Sequence, residues 1–371
     1  MRDPKLTFLI RCAYGAVWLA LIWLMVRYVL VWLLPFLIAL ALAALLEPAV
    51  VLCRRRLHLR RGFTATVLSL VVLGTVAAGL VLLAMVLLQS SRAIASAKRI
   101  NEVLDTEIDL TDDRAGKKDA LVQKGRIEFR GVSFRYYKES QEKVLDDINL
   151  TIEPGQTVGI IGSTGCGKTT LVSMIPRLYD ADEGSVLVDG VDVRDYSLKN
   201  LRNGVGMVLQ KNVLFSGTIE ENLMWGDEDA SEEEVIKASE AAQAAAFLQT
   251  FPDGWQTQLG QGGVNVSGGQ KQRLCIARAL LKKPRILILD DSTSAVDTAT
   301  EAKIRESFTG TLKETTKLII AQRITSVMEA DQIVVMDEGK IVGLGRHQEL
   351  LADCSAYQEI YYSQMERQVG A

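Results

Sequence analysis

Cysteine and histidine are scarce in this sequence, and the few that occur are scattered. The cysteines are odd in number and form no Cys-x-x-Cys pair or Cys/His metal-binding pattern. Scattered cysteines of this kind predict no disulfide framework and no zinc site. Any chemistry that needs an imidazole is confined to two places in the chain. The residues concerned are Cys12, Cys53, Cys166, Cys275 and Cys354, with His58 and His347.

Acidic residues are nearly missing from the first 92 residues, which we call the head. The head has ten basic residues against Asp3 and Glu47, a net charge of +8. The whole chain has 42 basic and 45 acidic residues, so residues 93–371, the body, carry 32 and 43, a net charge of −11. A basic, apolar head on an acidic, mixed body predicts a membrane segment joined to a soluble domain. Nothing in this balance indicates a nucleic-acid partner.

The head lacks charge over two long runs. Residues 13–53 are interrupted by charge only at Arg27 and Glu47, and residues 63–88 contain no charge. About 20 apolar residues cross the hydrocarbon core of a bilayer. The second run therefore predicts one span, and the first predicts one long span or two short ones. We expect residues 1–92 to form two or three transmembrane helices in the cell membrane, because the runs are too long for a signal peptide.

A glycine-rich loop follows the apolar run at residues 158–161 and has the pattern G-x-x-x-x-G-K-T. Glycines permit the backbone angles with which successive N–H groups wrap a phosphate at the start of a helix. In this pattern the lysine adds charge at the β- and γ-phosphates, and the threonine hydroxyl is a ligand for Mg²⁺. The loop predicts a nucleotide site. Its residues are Gly162, Ser163, Thr164, Gly165, Cys166, Gly167, Lys168 and Thr169.

Residues 125–152 alternate short strand-like runs with turns, which predicts a small antiparallel β-subdomain leading into an α/β core. Tyr136 lies in this segment. It is either an ordinary strand aromatic or a residue that stacks on an adenine ring, a contact worth about 1–3 kcal/mol by analogy with base stacking.

Three further motifs follow the loop. Gln210 ends an apolar run, and an apolar strand at residues 286–289 delivers Asp290 to its carboxyl end, where an open α/β sheet binds ligands and Mg²⁺. Between them, the run Ser267, Gly268, Gly269 and Gln270 begins an amphipathic helix predicted over residues 271–282. The positive end of that helix suits a γ-phosphate, although a lone SGGQ is also an ordinary helix cap.

In this order the motifs resemble the ATP-binding domain of ABC transporters over about residues 93–366. The resemblance implies an α/β P-loop NTPase fold with an antiparallel β-subdomain, a RecA-like core and a helical subdomain over about residues 212–283. We place a linker at 93–124, the ATP-binding domain at 125–366 and a tail at 367–371, with the domain in the cytoplasm.

The resemblance also implies individual roles and the cofactors ATP and Mg²⁺. It gives Thr169, Gln210 and Asp290 to the metal, and Lys168, Gln210, Asp291 and Gln322 to catalysis. ATP itself would meet residues 162–170 (Walker A, ending at Thr170), the signature at 267–270 and the stacking Tyr136. The D-loop would comprise Ser294, Ala295, Val296 and Asp297.

Two positions depart from the family pattern. Asp291 stands where the family usually has Glu, and Gln322 stands where it usually has a switch His. Aspartate is about 1.5 Å shorter, whereas a general base must come within about 2.6–3.2 Å of its proton. Glutamine cannot carry a proton as imidazolium does. Losing a general-base gain of about 10²–10⁴ raises the barrier by about 3–5 kcal/mol, while ATP binding survives. Gln261 likewise replaces a Glu common in exporters.

These departures, with an intact signature, are similar to the impaired-site subunit of heterodimeric multidrug exporters. The segment at residues 212–219 is also of the exporter type. The resemblance implies a second ABC subunit as partner in a hetero-oligomer, together with the membrane and an exported substrate. The alternative is a self-sufficient ATPase in which Asp291 is an adequate base.

The head raises a conflict of topology. The segment RRRLHLRR at residues 54–61 is placed in the cytosol by the positive-inside rule. If residues 63–88 then cross once, the body lies outside the cell, away from ATP. Either this segment is outside against the rule, or the last run does not span, or the head did not evolve to carry this body.

Local sequence in the head gives one more indication. Residues 12–88, with Leu34-Pro35-Phe36 and Leu46-Glu47-Pro48, resemble autoinducer-exporter-like and sporulation membrane permeases, whereas residues 91–104 resemble the end of an exporter's last transmembrane helix. We therefore expect a junction near residues 89–91, from gene fusion, truncation or an assembly error, in which case the head is only an anchor or permease fragment.

Overall fold

The computed structural model describes residues 4–57, 60–113, 115–291 and 296–369. It divides into two compact units, Met1–Glu107 and Ile108–Ala371. The predicted end of the membrane segment at residue 92 lies inside a helix that continues to Leu104, so the observed division falls about 15 residues later. His58 and the predicted D-loop residues Ser294 and Ala295 lie outside the described residues.

The described part of the first unit is helical. Its elements are α1 (Pro4–Leu24), a π-helical segment (Met25–Leu30), α2 (Val31–Leu57) and α3 (Arg61–Leu104). Two helices, Trp32–Cys53 and Arg61–Leu104, are long and apolar enough to cross a membrane, and the apolar helix Tyr14–Tyr28 is shorter. Their large apolar side chains are mostly exposed, as shown by Trp32 at 79%. Arg61 donates to Glu47 over 2.6 Å and links α3 to α2.

The second unit is built on a six-stranded sheet of order β12-β11-β3-β10-β9-β6. Five of these strands are parallel, and β12 pairs with β11 in the antiparallel sense. Their carboxyl ends therefore meet at one edge. The strands are β3 (Thr157–Gly162), β6 (Val205–Val208), β9 (Ile286–Asp290), β10 (Thr316–Ile320), β11 (Gln332–Asp337) and β12 (Lys340–Gly345).

Strand β9 shows why this sheet is buried on both faces. Its five residues are all buried. Side chains alternate between the faces of a strand, and accordingly Leu287 and Leu289 pack into one core cluster whereas Ile286 and Ile288 pack into the other. A continuous apolar run of this kind is typical of a central parallel strand. The predicted buried strand that ends at Asp290 is confirmed.

A second, antiparallel sheet has the order β2-β1-β4-β5 and confirms the predicted β-subdomain. Its first two strands precede the glycine-rich loop as expected, but the other two follow it. The pairing of β1 with β2 shifts register between Phe129 and Val132. The strands are β1 (Ile127–Phe134), β2 (Leu145–Ile152), β4 (Glu183–Val188) and β5 (Val191–Asp192).

Helices complete the second unit, with the short pair β7 (Gly217–Thr218) and β8 (Gln258–Leu259) beside α6 to α9 inside the predicted helical subdomain. The helices are α4 (Lys168–Ser173), α5 (Leu198–Gly204), α6 (Ile219–Met224), α7 (Glu232–Ala241), α8 (Ala245–Leu248), α9 (Gly268–Leu281), α10 (Thr298–Thr311), α11 (His347–Asp353) and α12 (Ser355–Val369). Single 3₁₀ turns lie at Gly254–Gln256, Gln261–Gly263 and Ile324–Ser326.

Candidate active site

The glycine-rich loop joins the end of β3 to the start of α4. Gly162 has φ 155° and Gly167 has φ 97°, backbone angles that favour glycine. A Cβ on Gly162 would overlap the carbonyl oxygen of Met336, and one on Gly167 would lie 2.8 Å from the carbonyl oxygen of Val144. Both the backbone angles and the available space therefore require glycine at these positions.

Lys168 lies over the loop that precedes it. Its Nζ donates to the carbonyl oxygens of Gly162 (2.8 Å) and Ser163 (2.7 Å). The positive charge is thereby held at the mouth of the loop, next to the N-terminus of α4. An ammonium group beside loop amides is the arrangement that binds the phosphates of a nucleotide.

Thr169 and Asp290 place two oxygen ligands side by side. The threonine hydroxyl donates to Asp290 Oδ1 over 3.1 Å. Asp290 is only 3% exposed, and burial, with a smaller contribution from the charge of Asp291, raises the pKa of its carboxyl group. A buried carboxylate next to a hydroxyl fits Mg²⁺, which takes oxygen ligands and uses one or two carboxylates together with substrate phosphates.

Asp291 receives two side-chain amides on one oxygen. Gln322 Nε2 donates to Asp291 Oδ2 over 2.6 Å, and Gln210 Nε2 donates to the same oxygen over 3.3 Å. Asp291 is 8% exposed and has φ 46°. Burial raises the pKa of its carboxyl group, and the two amides oppose that shift. Three predicted catalytic residues thus meet at one carboxylate.

These groups surround one cavity of about 710 Å³ at the carboxyl edge of the parallel sheet. The sequence predicted most of the polar lining. It did not predict the contribution of α12, whose residues carry no recognisable motif. The predicted lining residues are Gly162, Ser163, Thr164, Gly165, Lys168, Thr169, Gln210, Asp290, Asp291 and Gln322. The residues that α12 adds are Ala356, Glu359, Ile360, Ser363 and Gln364.

Other predicted residues lie beneath or beside the loop. Within the described part of the chain, the cavity lining does not include Tyr136, Cys166, Gly167 or Thr170. Cys166 and Thr170 are buried. Tyr136 is 48% exposed, and its hydroxyl lies 2.9 Å from Thr170 Oγ1. Its ring is packed edge-on against Phe134. The aromatic side chain is therefore tied to α4 while half of its surface remains accessible.

The signature run caps α9 and does not line the cavity, as far as the structure describes the chain. Ser267 Oγ accepts from the Gln270 N–H over 3.3 Å, and Gln270 Oε1 accepts from the Ser267 N–H over 2.8 Å. This is a reciprocal capping box. Ser267 and Gly268 are exposed, whereas Gly269 and Gln270 are half-buried. The N-terminus of α9 is therefore open to a further molecule.

Asp297 occupies a similar position at the start of α10. It is exposed, and its Oδ1 accepts from the Thr300 N–H over 2.9 Å. Hydrogen bonds from Thr300 lower the pKa of its carboxyl group. Asp297, like the signature, does not belong to the described lining of the cavity.

A phosphate-binding loop, a buried strand-end aspartate and a capped signature helix define an ATP-binding domain of the P-loop class. Residues 145–294 match the family of ABC transporters, and the second unit of this chain belongs to the ATP-binding domains of that family. The chain is 46% identical over 272 residues to the putative multidrug export ATP-binding/permease protein YgaD of Bacillus subtilis (strain 168), an alignment that covers 73% of this chain and 46% of the relative.

Two further comparisons also find similarity to ABC transporter proteins. The uncharacterized ABC transporter ATP-binding protein YfiB of the same organism is 47% identical over 278 residues, covering 75% of this chain and 48% of the relative. A solved bacterial Atm1-family ABC exporter with ATP bound superposes with a TM-score of 0.69 and 33% identity, covering 74% of this chain and 48% of that one. The chain spans about half the length of the curated relatives that it matches.

Proposed function

We propose that this chain is an ATP-binding subunit of an ABC exporter. It holds MgATP in the cavity at the edge of the parallel sheet, pairs head to tail with a second ABC subunit, and hydrolyses ATP slowly at its own site. The exporter assignment is supported by relatives named multidrug export ATP-binding/permease proteins and by the structural likeness to an ABC exporter.

ATP binding is assigned to residues with intact geometry. Lys168 and the loop amides would hold the phosphates, Thr169 and Asp290 would hold Mg²⁺ with Gln210 as a further candidate ligand, and Tyr136 would present its exposed ring to the adenine. The bound Mg²⁺ supplies charge neutralisation at the phosphates. Thr169 and Asp290 already share a hydrogen bond of 3.1 Å, so little reorganisation is needed when both oxygens turn to the metal.

Head-to-tail pairing follows from the position of the signature. The exposed N-terminus of α9 presents the positive end of the helix dipole, which suits a γ-phosphate. Because Ser267 lies outside the described lining of this chain's own cavity, it is assigned to a nucleotide held by another subunit. That subunit supplies the competent hydrolytic site, and the pair works across the cell membrane in which the apolar helices of the first unit are embedded.

The observation that carries the slow-site proposal is the pair of amides on Asp291. A carboxylate oxygen that accepts from both Gln322 and Gln210 is a poor acceptor for the proton of an attacking water. Gln322 cannot accept that proton in place of Asp291, because a glutamine amide does not take up a proton as an imidazole does. We therefore expect the site to retain ATP and to lose about 10²–10⁴ in hydrolysis rate.

The test restores the family residues in the full chain, purified in detergent with MgATP. Asp291→Glu together with Gln322→His raises the turnover rate by about 10²–10⁴ and leaves the Kd for MgATP nearly unchanged. Lys168→Ala is the control, because it weakens ATP binding itself. Robust hydrolysis by the unaltered chain that Asp291→Asn abolishes would contradict the proposal.

That contrary outcome would establish the second candidate, a self-sufficient ATPase with Asp291 as general base. One observation favours it: burial raises the pKa of Asp291, and a carboxylate of higher pKa is a stronger base. The two candidates make opposite predictions for the turnover rate of the unaltered chain.

A further inference from the structure

One side chain of the C-terminal helix α12 is bonded to the backbone of the segment that carries Gln322. Gln364 Nε2 donates to the Gln322 carbonyl oxygen over 2.8 Å, and Gln364 Oε1 accepts from the Ile324 N–H over 2.9 Å. The amide group therefore bonds on both sides of Arg323, much as a neighbouring strand would. Gln364 is half-buried and lines the nucleotide cavity.

This segment is at the point where the chain leaves the parallel sheet. The Ala321 N–H still donates to the Ile160 carbonyl oxygen over 3.3 Å, and a 3₁₀ turn begins at Ile324. The backbone of Gln322 lies between these two elements, and Gln364 supplies a partner that the sheet no longer provides. A fixed backbone at Gln322 fixes the origin of the side chain that donates to Asp291 over 2.6 Å.

The helix itself is anchored independently of the nucleotide site. Tyr357 of α12 is fully buried, and its hydroxyl lies 2.7 Å from His347 Nδ1 at the start of α11. This anchor is about two helical turns from Gln364 along α12. The helix thus provides a rigid frame from which the Gln364 amide reaches the loop.

We propose that Gln364 is a positioning residue that keeps the Gln322 amide on Asp291 and so restrains the carboxylate. This inference deepens the proposed function and rests on it. When the Gln364 bonds are lost, Gln322 spends less time on Asp291, and the carboxylate becomes more available to the attacking water.

The experiment measures kcat and KM for ATP hydrolysis by the full chain, with radiolabelled ATP to follow slow rates. Gln364→Met keeps the length of the side chain and removes both hydrogen bonds. One hydrogen bond is worth about 0.5–1.5 kcal/mol, so turnover rises about three- to tenfold. The KM for ATP stays unchanged, because Gln364 acts through Gln322 on the carboxylate, whereas a general loss of structure would raise KM and lower turnover.

The deciding step is a double-mutant cycle. In the Gln322→Ala chain, Gln364→Met changes neither kcat nor KM, because the amide group that it positions is missing. Equal effects of Gln364→Met in both backgrounds, or no effect in either, overturn the proposal. Gln364→Glu keeps the acceptor for the Ile324 N–H and loses the donor to Gln322. It gives a kcat between those of the unaltered chain and Gln364→Met, and it tests the proposal even if the methionine variant is unstable.

Gln358→Met is the matched control on the same helix. Gln358 Nε2 donates to the carbonyl oxygens of Leu351 (2.9 Å) and Ala352 (3.2 Å), away from the Gln322 segment. The loss of these bonds leaves kcat and KM unchanged. Binding of MgATP separates the two proposals. Failure of the unaltered chain to bind MgATP defeats the proposed function, whereas normal binding with an additive cycle defeats only the role of Gln364.

Discussion

At the residue scale, two adjacent carboxylates follow β9 and meet different donors. Asp290 is the last residue of the strand and accepts from the Thr169 hydroxyl, whereas Asp291 has a left-handed backbone and accepts from two amides. Amide donors stabilise a carboxylate without a metal. Asp290, with a single hydroxyl, has coordination capacity left for a cation. The local surroundings therefore distinguish the carboxylate proposed to bind the metal from the one proposed to act on the attacking water.

Burial of Asp290 has a consequence for stability without nucleotide. A carboxyl group whose pKa is raised in the folded state destabilises the fold when ionised, so the cost is absent below its unfolded pKa and complete above its folded pKa. At neutral pH, Asp290→Asn therefore raises the free energy of unfolding of the nucleotide-free chain, and its Tm rises with it. Thermal unfolding in EDTA at neutral and acidic pH measures this gain, which narrows as pH falls.

The control is Asp337→Asn, at an exposed strand end in the same cavity, where Ser163 Oγ donates to Asp337 Oδ1 over 3.2 Å. Its stability changes by less than about 0.5 kcal/mol. With MgATP present, Asp290→Asn has a lower Tm than the unaltered chain, because the variant loses the stabilisation that the bound ligand gives. A lower Tm for nucleotide-free Asp290→Asn would contradict this prediction. It would show that hydrogen bonds within the fold already offset the cost of burying the ionised carboxylate.

At the element scale, helices α9 and α7 begin with the same capping box but differ in the roles assigned to them. Each starts with a serine whose hydroxyl accepts from the backbone N–H three residues on, and in each case the side chain of that third residue bonds back to the cap. The caps are Ser267 with Gln270 and Ser231 with Glu234. Equal caps make these helices a natural pair for separating stability from function.

Ser267→Ala and Ser231→Ala each lower the free energy of unfolding by about 1 kcal/mol, because each leaves one backbone donor without its cap. Neither changes the Kd for MgATP of the monomer. Only Ser267→Ala weakens the dimer that forms with MgATP, since its hydroxyl is assigned to a nucleotide on another subunit. Chemical denaturation and ATP-dependent light scattering give the two readouts. If both variants dimerise equally well, the Ser267 hydroxyl does not contribute to the dimer interface.

The same elements show what the sequence could predict. Helix α9 begins at Gly268, three residues before the predicted start, because Gln270 belongs to its first turn as well as to the cap. Motifs such as this depend on neighbours in the chain and are visible in sequence. Strand β4 depends on pairing with β1 across 50 to 61 residues, and β5 pairs in turn with β4. Likewise, Gln364 meets Gln322 only after α12 packs. Contacts at such separation carry no local pattern.

At the scale of the whole molecule, the charge asymmetry of the sequence coincides with two units of different character. The acidic body folds around two buried clusters, whereas the basic first unit exposes its apolar helices. Helix α3 has 44 residues, about 66 Å at 1.5 Å per residue, roughly twice the thickness of a hydrocarbon core. If α3 crosses the membrane, its two ends emerge on opposite sides.

We expect the ATP-binding domain on the cytoplasmic side, so the arginine-rich segment before α3 lies outside, against the positive-inside rule. Single cysteines introduced at Arg60 and Asn101, near the two ends of α3, test this with a membrane-impermeant maleimide. The background is a chain whose five native cysteines are replaced by serine. Arg60→Cys is labelled in right-side-out vesicles and Asn101→Cys in inverted ones. Labelling of both from the cytoplasmic side would mean that α3 does not cross. Labelling of Asn101→Cys from outside would place the domain away from ATP and defeat its assignment as the working subunit of an exporter.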